Sequence, residues 1–515
     1  MNERISVAHG LLQWVRMPWQ SRLLALVAMA ATSGIVALTL SACSGSGGGD
    51  SGTTPAAPTL NLDFTRNTSP ANGTFKAIVW LSNANGAVVP FSSQPTVSST
   101  RGTVSPLVLR SDGKQEATVT PDAAGSGEYR VTAAASVSGA STALAHTAIV
   151  MGQVADGWGQ PYSVEGLVNT GGTQDSVAVS PDGQYLFLQY YPVSLSCFIE
   201  RLPQPGDPNS VACQTATGPI APPQRPNLPG ASRVLSASAI HHGCPSLNFD
   251  PSPFPVPPLA MYGFKRQSDG SYAEPFVFAF THNDGCFSPY GPSVRANGDG
   301  TYRMFLAFND PRNSGTASDF SHLYDFNFTP GATQILGDVS VAGALQINQF
   351  VLNPATVGGP DVHRGNPHVH YSGSTPSLLF YDDETQASAN QYLHVSQWNG
   401  SGWGAPAALN FAPFNTTGNG MTQPYFDGTQ LIAREGLELR TFAYNGGPVG
   451  SAASWGPPAV LLAPQAAGLQ AGSVVVVGEP TVATIAGQEV LFFVYGLRQP
   501  DGSLNLRVGF VRKGA

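Results

Sequence analysis

Short runs in which apolar and polar residues alternate, each ended by a tight-turn dipeptide, fill the chain from about residue 59 to its end. KAIVWL (76–81) leads into Asn83-Ala84-Asn85-Gly86. GTVSPLVL (102–109) leads into Ser111-Asp112-Gly113-Lys114, and EATVTP and EYRVTAAAS follow. Strands of this length, with Asn-Gly and Asp-Gly turns at this spacing, predict a β-sandwich over residues 59–152.

From residue 156 the alternation becomes an internal repeat. One half is a turn and a strand: DGWGQPYSV (156–164), DGSYAEPFVF (269–278), SGWGAPAAL (401–409) and ASWGPPAVL (453–461). The other half is a hairpin: QDSVAVSPDGQYLFLQY (174–190), YGPSVRANGDGTYRMFLAF (290–308), GNPHVHYSGSTPSLLFYDD (365–383), TQPYFDGTQLIAREG (422–436) and GEPTVATIAGQEVLFFVYG (478–496). The proline suits the first residue of a strand, where the missing N–H costs nothing. The L-x-F runs suit strands buried on both faces. Repeated small sheets arranged radially make a β-propeller.

Five hairpins and four turn-plus-strand units leave one outer strand to find, expected near Ala332–Leu336. No W-G-x-P strand follows the last hairpin, while one stands alone at Trp158. The N-terminal strand is therefore expected to complete the last blade of a five-bladed ring spanning 156–515. The first blade is overlong, with a surplus at about 194–258 that reads as a loop over one face or, alternatively, as a sixth blade. The fold class is all-β, a sandwich followed by a propeller.

The order NANGAVVP … GTVSP … SDGKQEATVTP … GEYRVTA resembles the bacterial immunoglobulin-like domains of the invasin and intimin type. The resemblance implies a cell-surface spacer. Ser180-Pro181-Asp182-Gly183-Gln184-Tyr185-Leu186-Phe187 resembles the TolB-like propeller repeat, which implies a fold and not an activity.

The N-terminus adds an address. Arg4, Arg16 and Arg22 precede the uncharged run LLALVAMAATSGIVALTL (23–40), and Leu40-Ser41-Ala42-Cys43 follows. This is a secretory signal over 1–42, and its end resembles a bacterial lipobox. That resemblance implies cleavage before Cys43, its acylation with palmitate-type chains, and, with Ser44 next, sorting to the outer membrane of the cell envelope. Residues 43–58 form a flexible Gly/Ser/Pro tether. Cys197, Cys213, Cys244 and Cys286 remain, an even number in an exported chain, and read as two disulfides of open connectivity. Charged residues are only 11% of the 515 and the net charge is −8. With no basic stripe, nucleic acid is excluded as a partner.

In propellers, ligands meet the channel mouth where the inner strands start. The residues there are Asp175, Gly291, Asn366, Gln423 and Glu479, polar or small beside apolar strands. The favoured function is a binding module, the propeller face meeting an envelope protein or a glycan. The alternative is a glycoside hydrolase, because GPSVRANGDGTYRMFLAF resembles blades of the arabinanase and invertase-like families and Asp175 and Glu479 fall on adjacent blades. Those families present three acids on three blades, whereas Gly291 and Asn366 stand at two of the positions here. Asp382, Asp383 and Glu384 follow the third hairpin, and Arg312, Arg434 and Arg498 follow others. The sialidase signature S-x-D-x-G-x-x-W, the P-loop, G-x-S-x-G and H-E-x-x-H elements are absent. His368 and His370 share one strand face and are candidate metal ligands. No cofactor is expected.

Overall fold

The computed structural model describes residues 56–66, 73–122, 125–169, 173–191, 260–281, 290–309, 321–330, 334–338, 348–349, 364–383, 392–414, 418, 420–465, 470–500 and 504–514. Among these the chain is all-β, with a single 3-10 turn at Ala452–Ser454 and no α-helix. The four cysteines expected to form disulfides, and Cys43, lie outside the described residues.

Two sheets make the N-terminal layer pair. One orders Thr59–Arg66, Phe75–Ser82, Gln115–Thr120 and Thr103–Val104. The other contains Thr96–Ser99, Gly127–Val137 and Ala140–Val150. Alternation decides which face is buried: Tyr129, Val131 and Ala133 point inward against Phe64, Phe75 and Val79, while the intervening residues reach solvent.

Five further sheets follow. Sheet I orders Thr173–Val179, Tyr185–Tyr191, Ala260–Arg266 and Tyr272–Thr281. Sheet II orders Tyr290–Ala296, Tyr302–Asn309, Ser321–Phe328 and Asn348–Gln349. Sheet III orders Arg364–Ser372, Thr375–Asp383, Leu393–Gln397 and Ala407–Ala408. Sheet IV orders Met421–Phe426, Gln430–Glu435, Glu438–Tyr444 and Trp455–Ala463. Sheet V orders Val474–Ile485, Gln488–Arg498 and Leu504–Arg512, and Tyr162–Ser163 pairs beside the last of these. The first strand of each sheet touches the first strand of the next, and that of sheet V touches that of sheet I. Apolar clusters fill the spaces between consecutive sheets, such as Phe187, Phe278, Met304 and Phe326 between I and II.

Two details depart from the sequence reading. The segment Gln334–Asp338, expected to finish sheet II, lies parallel to Tyr272–Thr281 in sheet I instead. The motif proline is not a strand-initial residue. In sheets II–V it sits at a β-bulge inside the first strand, where the register slips between Tyr290 and Ser293, Gly365 and His368, Thr422 and Tyr425, and Gly478 and Thr481. A bulged residue leaves its N–H outside the ladder, so a proline is accepted there.

The sandwich, expected to be a spacer, is joined to sheet V. Tyr162 pairs with Phe510 on one side and with Ala148 on the other, so one seven-stranded sheet runs from Val474–Ile485 through to Thr96–Ser99. Gln153–Val154 also pairs onto the outer strand of sheet IV. At the seam the Tyr162 ring stacks between Phe64 and Phe510, with centroids 5.0 and 5.1 Å away. Its hydroxyl accepts the Phe64 N–H at 2.6 Å and donates to Asp63, which also pairs with Arg512 at 3.2 Å. Arg507 meets Glu128 at 3.1 Å.

A seam built this way predicts one cooperative unit. Tyr162→Ala removes a ring shared by both cores and is expected to cost about 3–5 kcal/mol. Calorimetry should show wild type and variant each melting in a single transition, the variant earlier. Two resolved transitions in the wild type would refute a shared unit.

Candidate functional site

The site is built from one backbone event repeated five times. At the bulge of each first strand one residue adopts a left-handed conformation: Ser176 (φ 56°), Gly291 (57°), Asn366 (47°), Gln423 (57°) and Glu479 (54°). These five surround the axis. Ser176, not Asp175, is therefore the equivalent of the other four, because in sheet I the slip falls between Asp175 and Ala178. The sequence offered no proline there to set the frame, and Val177 occupies its place.

The left-handed turn sends the Gln423 and Glu479 side chains sideways to the next sheet, while that of Asn366 reaches the second strand of its own. The Asn366 Nδ2 donates to Asp382 Oδ2 at 2.8 Å, and the Gln423 backbone N–H donates to the same oxygen at 3.0 Å. Gln423 Nε2 donates to Glu479 Oε1 at 3.1 Å, and the Glu479 N–H returns a bond to Gln423 Oε1 at 3.0 Å. The Val177 N–H donates to Glu479 Oε2 at 3.1 Å, joining sheet V to sheet I. Only the strand that lacks proline has this N–H to give. Gly291 supplies no side chain, and none fits: a Cβ there would lie 2.3 Å from Asn366 Oδ1.

Three carboxyl groups meet on the N-terminal side of this ring. Asp175 precedes the bulge of sheet I. Asp382 stands opposite Gly365 on the second strand of sheet III, and Arg434 stands opposite Thr422 on that of sheet IV. Gly478 makes room for them, since a Cβ there would lie 2.5 Å from Gln423 Oε1 and 3.1 Å from Arg434 Cδ. Glu479 shares a hydrogen bond with Asp175. Burial pushes the Glu479 carboxyl well above the usual carboxylate range, and the Asp175 charge raises it further. Loss of water also raises Asp175, against hydrogen bonds from Glu479 and the Ser176 N–H. The consistent state has the proton on Glu479, donated to Asp175. Asp382 is fully buried and raised by that burial, with Asn366, the Gln423 N–H and Arg434 opposing. Its Oδ1 has no hydrogen-bond partner among the described residues. The Arg434 guanidinium draws on all three carboxyls. The arrangement therefore combines a carboxylic acid held neutral, its ionised partner, and a third carboxyl one glutamine away.

Asn366, Gln423 and Glu479 thus come together as the sequence suggested, and Asp175 joins them from one residue upstream. Of the acidic run after the third hairpin, Asp382 reaches the axis and Asp383 takes the opposite strand face, while Glu384 lies outside the described residues. Arg312 lies outside them too, and Arg498 pairs opposite Leu504, away from the axis. Asp382 and Arg434 carry no local motif. Counting back from the turn to the bulge of each hairpin is the signal that finds them. His368 and His370 lie beyond the bulge, bonded to the Phe426 carbonyl at 2.9 Å and the Ser377 hydroxyl at 2.8 Å. No group of three or more His, Cys, Asp or Glu suited to a metal occurs among the described residues.

The raised Glu479 sets a sign for pH dependence. Above the ordinary glutamate range the folded protein keeps a proton that the unfolded chain has released, so stability falls as pH rises through that window. Glu479→Gln keeps a neutral group and is expected to flatten the fall. Melting temperatures from about pH 4 to about pH 8 check this against the reference range, and parallel curves would contradict it.

No family model matches the chain, and no curated protein matches it. Solved structures similar to it include an alpha-L-arabinofuranosidase from Lactobacillus brevis, at 9% identity and TM-score 0.36, covering 67% of this chain and 92% of that one. An exo-1,5-alpha-L-arabinanase from a bovine ruminal metagenomic library is 9% identical with TM-score 0.32, covering 66% and 94%. An endo-arabinase from Bacteroides thetaiotaomicron is 14% identical with TM-score 0.31, covering 48% and 84%. At these identities and TM-scores nothing about the chemistry of this chain follows from the likeness.

Proposed function

We propose that the chain is a glycoside hydrolase built on a five-bladed propeller closed by its N-terminal strand. The observation that carries this reading is the convergence of Asp175, Asp382 and Glu479, from three different sheets, around Gln423 and Arg434. Hydrolysis of a glycosidic bond needs one carboxyl to protonate the leaving oxygen and another to assist water at the anomeric carbon. Asp175, half-buried, is the member of its pair that meets the substrate, and it passes on the proton held by Glu479. Asp382, fully buried across Gln423, does not meet the water itself; it fixes Asn366 and Gln423. The Glu479 carboxylate that the proton transfer leaves, facing the channel, takes a proton from the attacking water.

In this reading the sandwich, of the immunoglobulin-like kind, carries the propeller at the cell envelope. Cys43 is the acylated mature N-terminus in the membrane, an address and no part of the chemistry, and the four remaining cysteines pair as disulfides.

 Metabolic labelling with a fatty-acid probe should mark the wild type and leave Cys43→Ala unmarked, and equal labelling of both would sink the anchor.

One observation favours a binding role instead. Both Glu479 oxygens accept protein hydrogen bonds, so the cluster also holds the ring together whatever its chemistry. A reducing-end assay on arabinans, xylans, galactans and fructans separates the two readings. Release from at least one polymer is expected, reduced about 10²–10⁴-fold in Asp175→Asn and in Asp382→Asn, each still folded by melting. Retention of a glycan without cleavage, unchanged in both variants, would favour the binding module over the hydrolase.

A further inference from the structure

Beyond the ring of left-handed residues the channel continues as a cavity of about 320 Å³ on the side away from Asp175 and Asp382. Pro292, Pro367, Pro424 and Pro480 line it. Each lacks an N–H, so together they make a collar that offers ring C–H groups and no donors. His368 and His370 stand on one wall, two residues apart on the same strand.

The partners of these two rings fix their tautomers. His368 Nε2 faces the Phe426 carbonyl, which can only accept, so Nε2 carries the proton and Nδ1 keeps its lone pair. The Ser377 hydroxyl donates to the His370 carbonyl at 3.1 Å, so its oxygen accepts from His370 Nδ1, and Nε2 keeps its lone pair. No described residue donates to either free nitrogen. Burial keeps both rings neutral, His368 down to about 4. The wall therefore asks for hydrogen-bond donors.

A divalent cation would need further ligands, and no third His, Cys, Asp or Glu joins them among the described residues. Arg295 lines the same cavity and disfavours a cationic occupant, and Asp427 disfavours an anionic one. Hydroxyl groups on a compact, neutral skeleton with C–H faces satisfy every wall. We propose that this cavity binds a neutral monosaccharide, whose hydroxyls donate to His368 Nδ1 and His370 Nε2 while its C–H face lies on the proline collar. The site stands whether or not the carboxyl cluster is hydrolytic. Gln423 and Glu479 line both, so an occupant here touches the far side of the cluster.

The test is calorimetric titration of the mature chain with arabinose, xylose, galactose and glucose, beside gluconate and glucosamine as charged controls. At least one neutral sugar should bind with a dissociation constant of about 1 mM or tighter and the charged controls at least about tenfold more weakly. Ser293→Phe, which fills the cavity from another strand, should weaken binding at least about tenfold. Imidazole ¹⁵N spectra of the wild type give a readout that needs no variant: two unprotonated nitrogens should shift on saturation. The proposal is overturned if no neutral sugar binds, if a charged control binds better, if Ser293→Phe binds as the wild type does, or if the imidazole nitrogens do not move.

Discussion

Everything at the centre of this molecule depends on five left-handed residues at the bulges of five first strands. For a residue with a Cβ that conformation costs about 1–2 kcal/mol, and four of the five have one: Ser176, Asn366, Gln423 and Glu479. The cost is offset by what the turn accomplishes. At Gln423 and Glu479 it takes the side chain out of its own sheet and aims it at the neighbouring one, where amide and carboxyl groups bond across the boundary. Without the bulge these side chains would alternate into the apolar faces between sheets, where polar groups lack partners.

The same device concentrates the chemistry. A polar ring at the axis takes Asp382 fully and Glu479 largely out of water, and that burial raises both carboxyls. Prolines at four bulges withhold N–H groups from the ring, and Val177 at the fifth supplies one. The asymmetry of the site therefore begins in the backbone. Sheet I alone can donate a main-chain bond to Glu479 from that position.

Much of the architecture was legible along the chain because hairpins announce themselves locally. Asp182-Gly183, Asp299-Gly300 and Asp427-Gly428 mark turns, and alternation marks the strands on either side. The pairing of Tyr162–Ser163 with Leu504–Arg512 also follows from the inventory of repeats, which leaves one strand without a place. The site was legible in part. Asn366, Gln423 and Glu479 precede prolines and share one frame, whereas in sheet I valine stands in the proline's place, so the expectation fell on Asp175, one residue upstream of the true equivalent, Ser176. Asp382 and Arg434 were harder still, since their relation to the axis depends on cross-strand register. The junction with the sandwich was not legible. A two-residue pairing partner has no periodicity of its own, and Gly152, at the start of the connection, looks like a linker residue while packing tightly against Pro464 and Gln465.

The seam has a consequence for how the molecule comes into being. Tyr162 cannot reach its partner Phe510 until almost the entire length of the chain has been made. Contacts so distant in sequence close late, because the entropy of the intervening loop must be overcome first. Until then Tyr162–Ser163, paired with the strand Ala140–Val150 on one side, lacks a neighbour on the other. The nascent chain thus presents an unpaired edge and an uncovered aromatic face for as long as its C-terminal strands are missing. A chain stopped short of Leu504 loses more than its last strand, because the sheet that joins the two halves then has no bridge.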